Sequence, residues 1–151
     1  MQYVIKQFKE LEEALVDASS VIYMTRTDFF DVLLDTLALS SPACILDELG
    51  TGFDGIRSID CPGKHLTNDE RLVACAREHG LPVISEDKKI LHALEREGIP
   101  FFNALMMLHF LLFKRKIDLE KHGNSLEKLK KIAWYDKKVW AFGEEVFSLV
   151  R

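Results

Sequence analysis

"LTNDERLVACAREHGLPVISEDKKILHALEREGIPFF", residues 66–102, decides the fold. Thr67 and Glu70 have capping-box spacing ahead of the apolar run "LVACA", and Gly80 followed by Pro82 stops the helix they begin. Residues 82–85, "PVIS", then make a short buried strand. A second helix follows over 87–97, Gly98 ends it, and "IPFF" is a further strand. Strands separated by helices of this length imply right-handed crossovers, and so a mostly parallel sheet covered by helices on both sides.

The flanking sequence extends the pattern in both directions. Upstream, Ile5, Phe8 and Leu11 suggest an opening helix, and "ALVDASSVIYM" offers a strand over 14–16 that stops at Asp17. "DFFDVLLDTLAL" has helical apolar spacing. "SPACILDELG" reads as a helix begun by Ser41-Pro42 and ended at Gly50, with Glu48 in its last turn. "GIRSIDCPG" supplies a strand over 56–59. Downstream, a helix runs from Asn103 to about Lys116, and "LEKLKKIAWYDKKVWAFGEEVFSLV" reads either as a helical pair with Trp134 and Trp140 packed on the core or as a partner-binding face. His92, His109 and His122 occur singly and read as packing or surface residues.

A chain of 151 residues suits one domain, 1–151, with a core over about 14–117 and a helical extension over about 118–151. Its longest apolar run, residues 104–113, contains His109 and is too short to span a bilayer, so no membrane is expected. The first twenty residues carry acids where a signal peptide needs an unbroken apolar segment. Three cysteines, Cys44, Cys61 and Cys75, without framework spacing, suit reduced thiols in a cytoplasm; disulfides are not expected. The net charge of −4 hides an asymmetry: residues 114–138 hold nine Lys or Arg against four Asp or Glu, leaving the rest strongly acidic. That basic stretch is either a solvated helix surface or a patch that tracks a phosphate backbone, with Lys114, Arg115, Lys116, Lys128, Lys130 and Lys131 as its candidates.

Four acids stand out by position: Asp17 after the first strand, Glu48 near a helix end, Asp69 in a helix first turn and Asp87 after a later strand. In open α/β sheets, ligands gather beyond the carboxyl ends of the strands. Carboxylates crowded there repel one another unless a cation sits among them, and Mg²⁺ or Mn²⁺ takes such oxygen ligands. Each acid also has an ordinary reading. The helix macrodipole favours Asp69 and Asp87 in first turns by about 0.3–1 kcal/mol, and Glu86 serves that dipole almost as well as Asp87. Asp17 has no cap role that clearly requires it.

"LVDASSVI", "SPACILDELG", "LTNDERLVACAREHGLPVISEDKKI" and "EREGIPFFNALMMLHFLL", in that order, resemble a PIN-domain protein, the family that includes the VapC-type toxin ribonucleases. The resemblance covers roughly residues 15–117, and "Ser-x-Asp" stands where the family usually has Thr-x-Asp. It implies a three-layer α/β/α sandwich, an acid cluster binding Mg²⁺ or Mn²⁺, and metal-dependent cleavage of RNA. Asp17, Glu48, Asp69 and Asp87 match the acidic positions, and Ser19 and Ser85 the supporting hydroxyls. It also implies a small antitoxin protein as a partner, and a homodimer as one state of the chain. The third acid is less clearly matched, because Glu70 lies beside Asp69; Thr67 as cap favours Asp69. The extra residues before Asp17 and after Ile117 bear on the toxin role more than on the nuclease fold.

Other classes fit less well. Cys61-x₃-His65 and Cys75-x₃-His79 resemble two half-sites for zinc but lack a Cys-x₂₋₄-Cys knuckle. A receiver domain wants an acidic pair after its first strand, where this chain has Asp17 alone. No phosphate-binding glycine motif and no nucleophile elbow occurs. The principal rival is a catalytically silent PIN-like module that binds nucleic acid or protein.

Overall fold

The computed structural model describes residues 2–151. Its strands are β1 Glu13–Val16, β2 Ala38–Pro42, β3 Arg57–Ile59, β4 Val83–Ile84 and β5 Phe101–Phe102. All pair in parallel, in the order β3-β2-β1-β4-β5. Among the described residues nine helices connect and cover the sheet: α1 Gln2–Glu10, α2 Ala18–Arg26, α3 Phe30–Thr36, α4 Ala43–Leu49, α5 Asn68–His79, α6 Lys88–Glu97, α7 Ala104–Phe113, α8 Leu119–Ile132 and α9 Lys137–Val150.

Side chains alternate across a strand, and this alternation builds two cores. Ala14 and Val16 of β1 join Ile84 and Phe102 on one face, under α1, α2, α3 and α7. Leu15 and Val83 point the other way, against Leu72 and Cys75 of α5 and Ile90 and Leu94 of α6. α7 is apolar all round and buried from Ala104 to Leu112, because α8 and α9 cover the side that faces away from the sheet. Helices on both faces of a parallel sheet are compatible with an α/β/α layering. No helix among the described residues is long and apolar enough to cross a membrane.

The stretch 66–102 folds as its pattern predicts. Thr67 and Glu70 form the capping box of α5, and Gly80 and Gly98 end α5 and α6 in the left-handed conformation, at φ 66° and 69°. That conformation is cheap only for glycine.

Four expectations need correction. Residues 38–42 form the inner strand β2, so Ser41 does not cap a helix: its buried hydroxyl donates to the Val16 carbonyl across the sheet, and α4 opens just later, after Pro42 and without a side-chain cap, ending at Gly50 as expected. Trp140 packs edge-on against Tyr135 with ring centroids 5.1 Å apart, but Trp134, in the connection between α8 and α9, is 90% exposed. His109 and His122 are packing residues, as one reading had it, but they do not occur singly: both are buried and they are hydrogen-bonded to each other, Nδ1 to Nε2 at 2.9 Å, with Phe147 stacked on His122. Finally, Cys61 and Cys75 form a disulfide, since the crossover from β3 into α5 brings their Cα atoms to 4.9 Å. Cys44 is the free thiol. The bridge removes the argument for a reducing compartment that rested on cysteine usage, and it takes both sulfurs from any zinc site; His79 instead contacts the Asp60 carbonyl through Nε2 at 2.8 Å.

Candidate carboxylate site

The chain builds the sheet outward from β1 to β3, then crosses back to lay β4 on the other side of β1. Strand order therefore reverses between β1 and β4, and a crevice opens beyond their carboxyl ends. Val16 pairs in register with Ile84, so the next residues, Asp17 and Ser85, face each other at that crevice.

Asp17 is 6% exposed. Its Oδ1 accepts from the Ala18 amide at 2.8 Å, and its Oδ2 accepts from the Ser85 hydroxyl at 2.9 Å and, more weakly, from Ser19 at 3.4 Å. The residue is thus the N-cap of α2, a duty missed by the reading of it as a strand-end acid with no cap role. Burial raises its carboxyl above the usual range. The bonds from Ser85 and Ala18 oppose that rise, and the negative charges of Asp69 and Glu48 add to it.

Asp69 is also raised, first by burial and then by the charges of Asp87 and Glu48, with Lys89 opposing. Its neighbour Glu70 is turned back onto Thr67, its Oε1 accepting from the Thr67 amide at 3.4 Å to close the capping box and from the Thr67 hydroxyl at 2.8 Å. Asp69, not Glu70, is the α5 acid whose charge bears on Asp17. Glu48, exposed near the end of α4, accepts from the Asn68 side-chain amide, which ties α4 to the start of α5. Asp87 caps α6 by accepting from the amides of Lys89 at 2.8 Å and Ile90 at 3.4 Å, while its own amide donates to Ser85 Oγ at 3.1 Å. The four acids thus share one rim, where the charges of Glu48 and Asp69 bear on Asp17 and those of Asp87 and Glu48 on Asp69, and Asp17 and Asp87 also cap helices.

Glu86, read from sequence as a spare helix-start acid, has a different place. It turns away from α6 and accepts from the Ala104 amide at 3.1 Å, from the Ser20 hydroxyl and from the Tyr135 phenol. Burial raises its carboxyl, opposed by Ser20, Tyr135 and Ala104. Tyr135 belongs to the α8–α9 connection, so Glu86 fastens the C-terminal helices to the rim. The sequence signal was faint: an acid beside a strand end and a tyrosine some fifty residues later.

All the donors at the rim are oxygens and their charge is in excess, which suits a hard divalent cation such as Mg²⁺ or Mn²⁺. As the side chains stand, no three Asp, Glu, His or Cys residues among those described are arranged to hold one ion. Mg²⁺ commonly relies on one or two carboxylates plus waters and phosphate oxygens, so the donor set fits without a closed protein cage.

The basic candidates divide by topology. A helix that follows a strand starts at the carboxyl rim and runs back, and ten residues of α7 carry the chain about 15 Å away. Lys114, Arg115 and Lys116 therefore lie at the end of α7 remote from the acids. Lys128 pairs with Asp28, and Lys130 with Glu127 at 3.3 Å, both on the surface. Lys131 lies in the last turn of α8, close in the chain to Tyr135. A cavity of about 530 Å³ lies apart from the rim, between α1, α6 and α9 at the β5 edge; none of the four acids lines it.

No protein-family model matches the chain. No curated protein matches it either.

Proposed function

We propose that the chain is a Mg²⁺- or Mn²⁺-dependent ribonuclease with a PIN-like fold, hydrolysing RNA phosphodiester bonds. The observation that carries the reading is Asp17: a buried carboxyl at the reversal of strand order, pushed up by burial and by the charges of Asp69 and Glu48. A nuclease acting in the cytoplasm as the toxin of a toxin–antitoxin pair, with a small antitoxin protein as partner, is the narrower form of the proposal.

Asp17, Glu48, Asp69 and Asp87 would hold the cation. When bound, such an ion lowers the pKa of a coordinated water and offsets charge developing on the phosphate. The chain's own residues position the acids. Ser85 and the Ala18 amide fix both Asp17 oxygens, Asn68 holds Glu48, and the capping box keeps Glu70 out of the way. Because Asp17 and Asp69 are raised, a cation competes with protons for them, and binding strengthens as pH rises.

Calorimetric titration with Mn²⁺ tests the proposal. Wild type is expected to bind, with Asp17→Asn and Asp69→Asn weaker by at least about tenfold, roughly 1.4 kcal/mol. Equal binding by all three removes the site. The rival reading, a silent binding module, is favoured by the cap duties of Asp17 and Asp87, and that equal-binding result would support it.

A further inference from the structure

We infer that Trp134 is a stacking platform for a base of single-stranded RNA engaged at the carboxylate rim. The inference rests on the nuclease reading and adds the residue that would grip the strand.

Trp134 is 90% exposed, more than any other large apolar side chain among the described residues. Nothing in the fold calls for it, because its neighbours do the packing: Tyr135 and Trp140 lie edge-on, and Leu129 is buried in the core. Its backbone is nevertheless held on both sides. α8 ends at Ile132, Asp136 caps α9 by accepting from the Val139 amide at 3.0 Å, and the Tyr135 phenol is bonded to Glu86. The indole is therefore displayed from a fixed stretch of chain. It lines a cavity of about 370 Å³ together with Glu86, Lys88, Asn103 and Tyr135, and Glu86 is the residue between Ser85 and Asp87.

The surroundings select the occupant. Residues 128–138, "KLKKIAWYDKK", hold five lysines and one acid in a chain of net charge −4. Lys131 and Lys137, three residues to either side of Trp134, are exposed and make no ion pair among the described residues. None of the other exposed large apolar residues, Tyr3, Ile22, Leu119, Phe142 and Leu149, falls in this stretch. A single exposed ring flanked in the chain by lysines is not the contiguous apolar surface that a protein partner covers. It is the combination used for single strands: a π-face for any base, with ammonium groups for the flanking phosphates.

The test uses a Trp140→Phe protein, in which Trp134 is the sole tryptophan, titrated with a short single-stranded oligoadenylate in chelator so that nothing is cleaved. Saturable quenching of the indole is expected, with weaker affinity as salt rises. An abasic oligomer of the same length should leave the emission unchanged. Trp134→Ala in the wild-type background should weaken binding at least about fivefold and raise KM for a single-stranded substrate, with Mn²⁺ binding and melting temperature unaltered. Absence of quenching, or equal quenching by an acidic peptide, overturns the platform. Quenching by oligoadenylate in a protein that binds no Mn²⁺ and cleaves nothing overturns the nuclease reading instead, so the two failures are distinct.

Discussion

The Ser85 hydroxyl donates to Asp17 Oδ2 at 2.9 Å and accepts from the Asp87 amide at 3.1 Å, so one small side chain joins the acid after β1 to the acid after β4. Asp17 and Ser85 are 68 apart in sequence and meet through the Val16–Ile84 register. Neither acid's position at the rim is independent of the other.

Ser85→Ala should therefore act on both. The buried Asp17 loses its main side-chain donor, and the Asp87 amide loses its acceptor. The expected cost is about 1–3 kcal/mol of unfolding free energy, read from urea denaturation. The Asp17 carboxyl should titrate higher still, because the Ser85 bond is the leading influence that lowers it. Mn²⁺ affinity near neutral pH should fall with it.

The His109–His122 pair gives the fold an acid limit. Burial lowers His109 to about 3, with the neighbouring His122 adding to the shift, and burial lowers His122 to about 4. His109 Nε2 lacks a well-formed partner, although the Gly143 backbone lies beside it, and Lys130 and Glu144 line the adjoining cavity. A base whose folded pKa is depressed favours folding only while neutral. Its stabilisation is complete above the unfolded value of 6.5 and is lost as pH falls from there through about 4 to about 3. Asp17 and Glu86 are raised and work in the opposite direction, since the folded state keeps their protons at higher pH than the unfolded chain does. Urea midpoints should fall across the histidine window in the wild type. The slope should flatten in the His109→Gln/His122→Gln protein, whatever that variant's absolute stability.

Much of this was legible in the sequence, and the misses share a cause. Helices α5 and α6 carry their own punctuation, from Thr67 and Glu70 to Gly80 and Gly98, so local rules located them. β2 carries none: "ALSSP" is poor in β-formers and is a strand because β1 and β3 flank it and bury Ser40 and Ser41. Asp17 was legible as a strand-end acid, but its cap role was hidden because α2 begins at the very next residue. The links Glu86–Tyr135, His109–His122 and Cys61–Cys75 are tertiary, and no spacing rule announces them.

The disulfide has a direct chemical check. Thiol titration of the unfolded, unreduced protein should find one reactive cysteine, Cys44, and after reduction all three. Reduction should lower unfolding free energy by up to about 3 kcal/mol, the chain-entropy value for a closed loop of this size. Because that loop contains Thr67, Asn68 and Asp69, reduction should also weaken Mn²⁺ binding.

The central claim is that the rim acids act together on RNA through a divalent cation. Its most direct test is the rate of Mn²⁺-dependent cleavage of a single-stranded RNA by wild type and by Asp17→Asn, with the melting temperature of each measured in chelator. The predicted result is cleavage by wild type that stops when the ion is removed, and a variant at least about tenfold slower. The variant should melt no lower near neutral pH, since Asn can still cap α2 and the burial and like-charge repulsion of Asp17 are relieved. Equal rates for the two proteins, or a rate indifferent to the ion, would contradict the account.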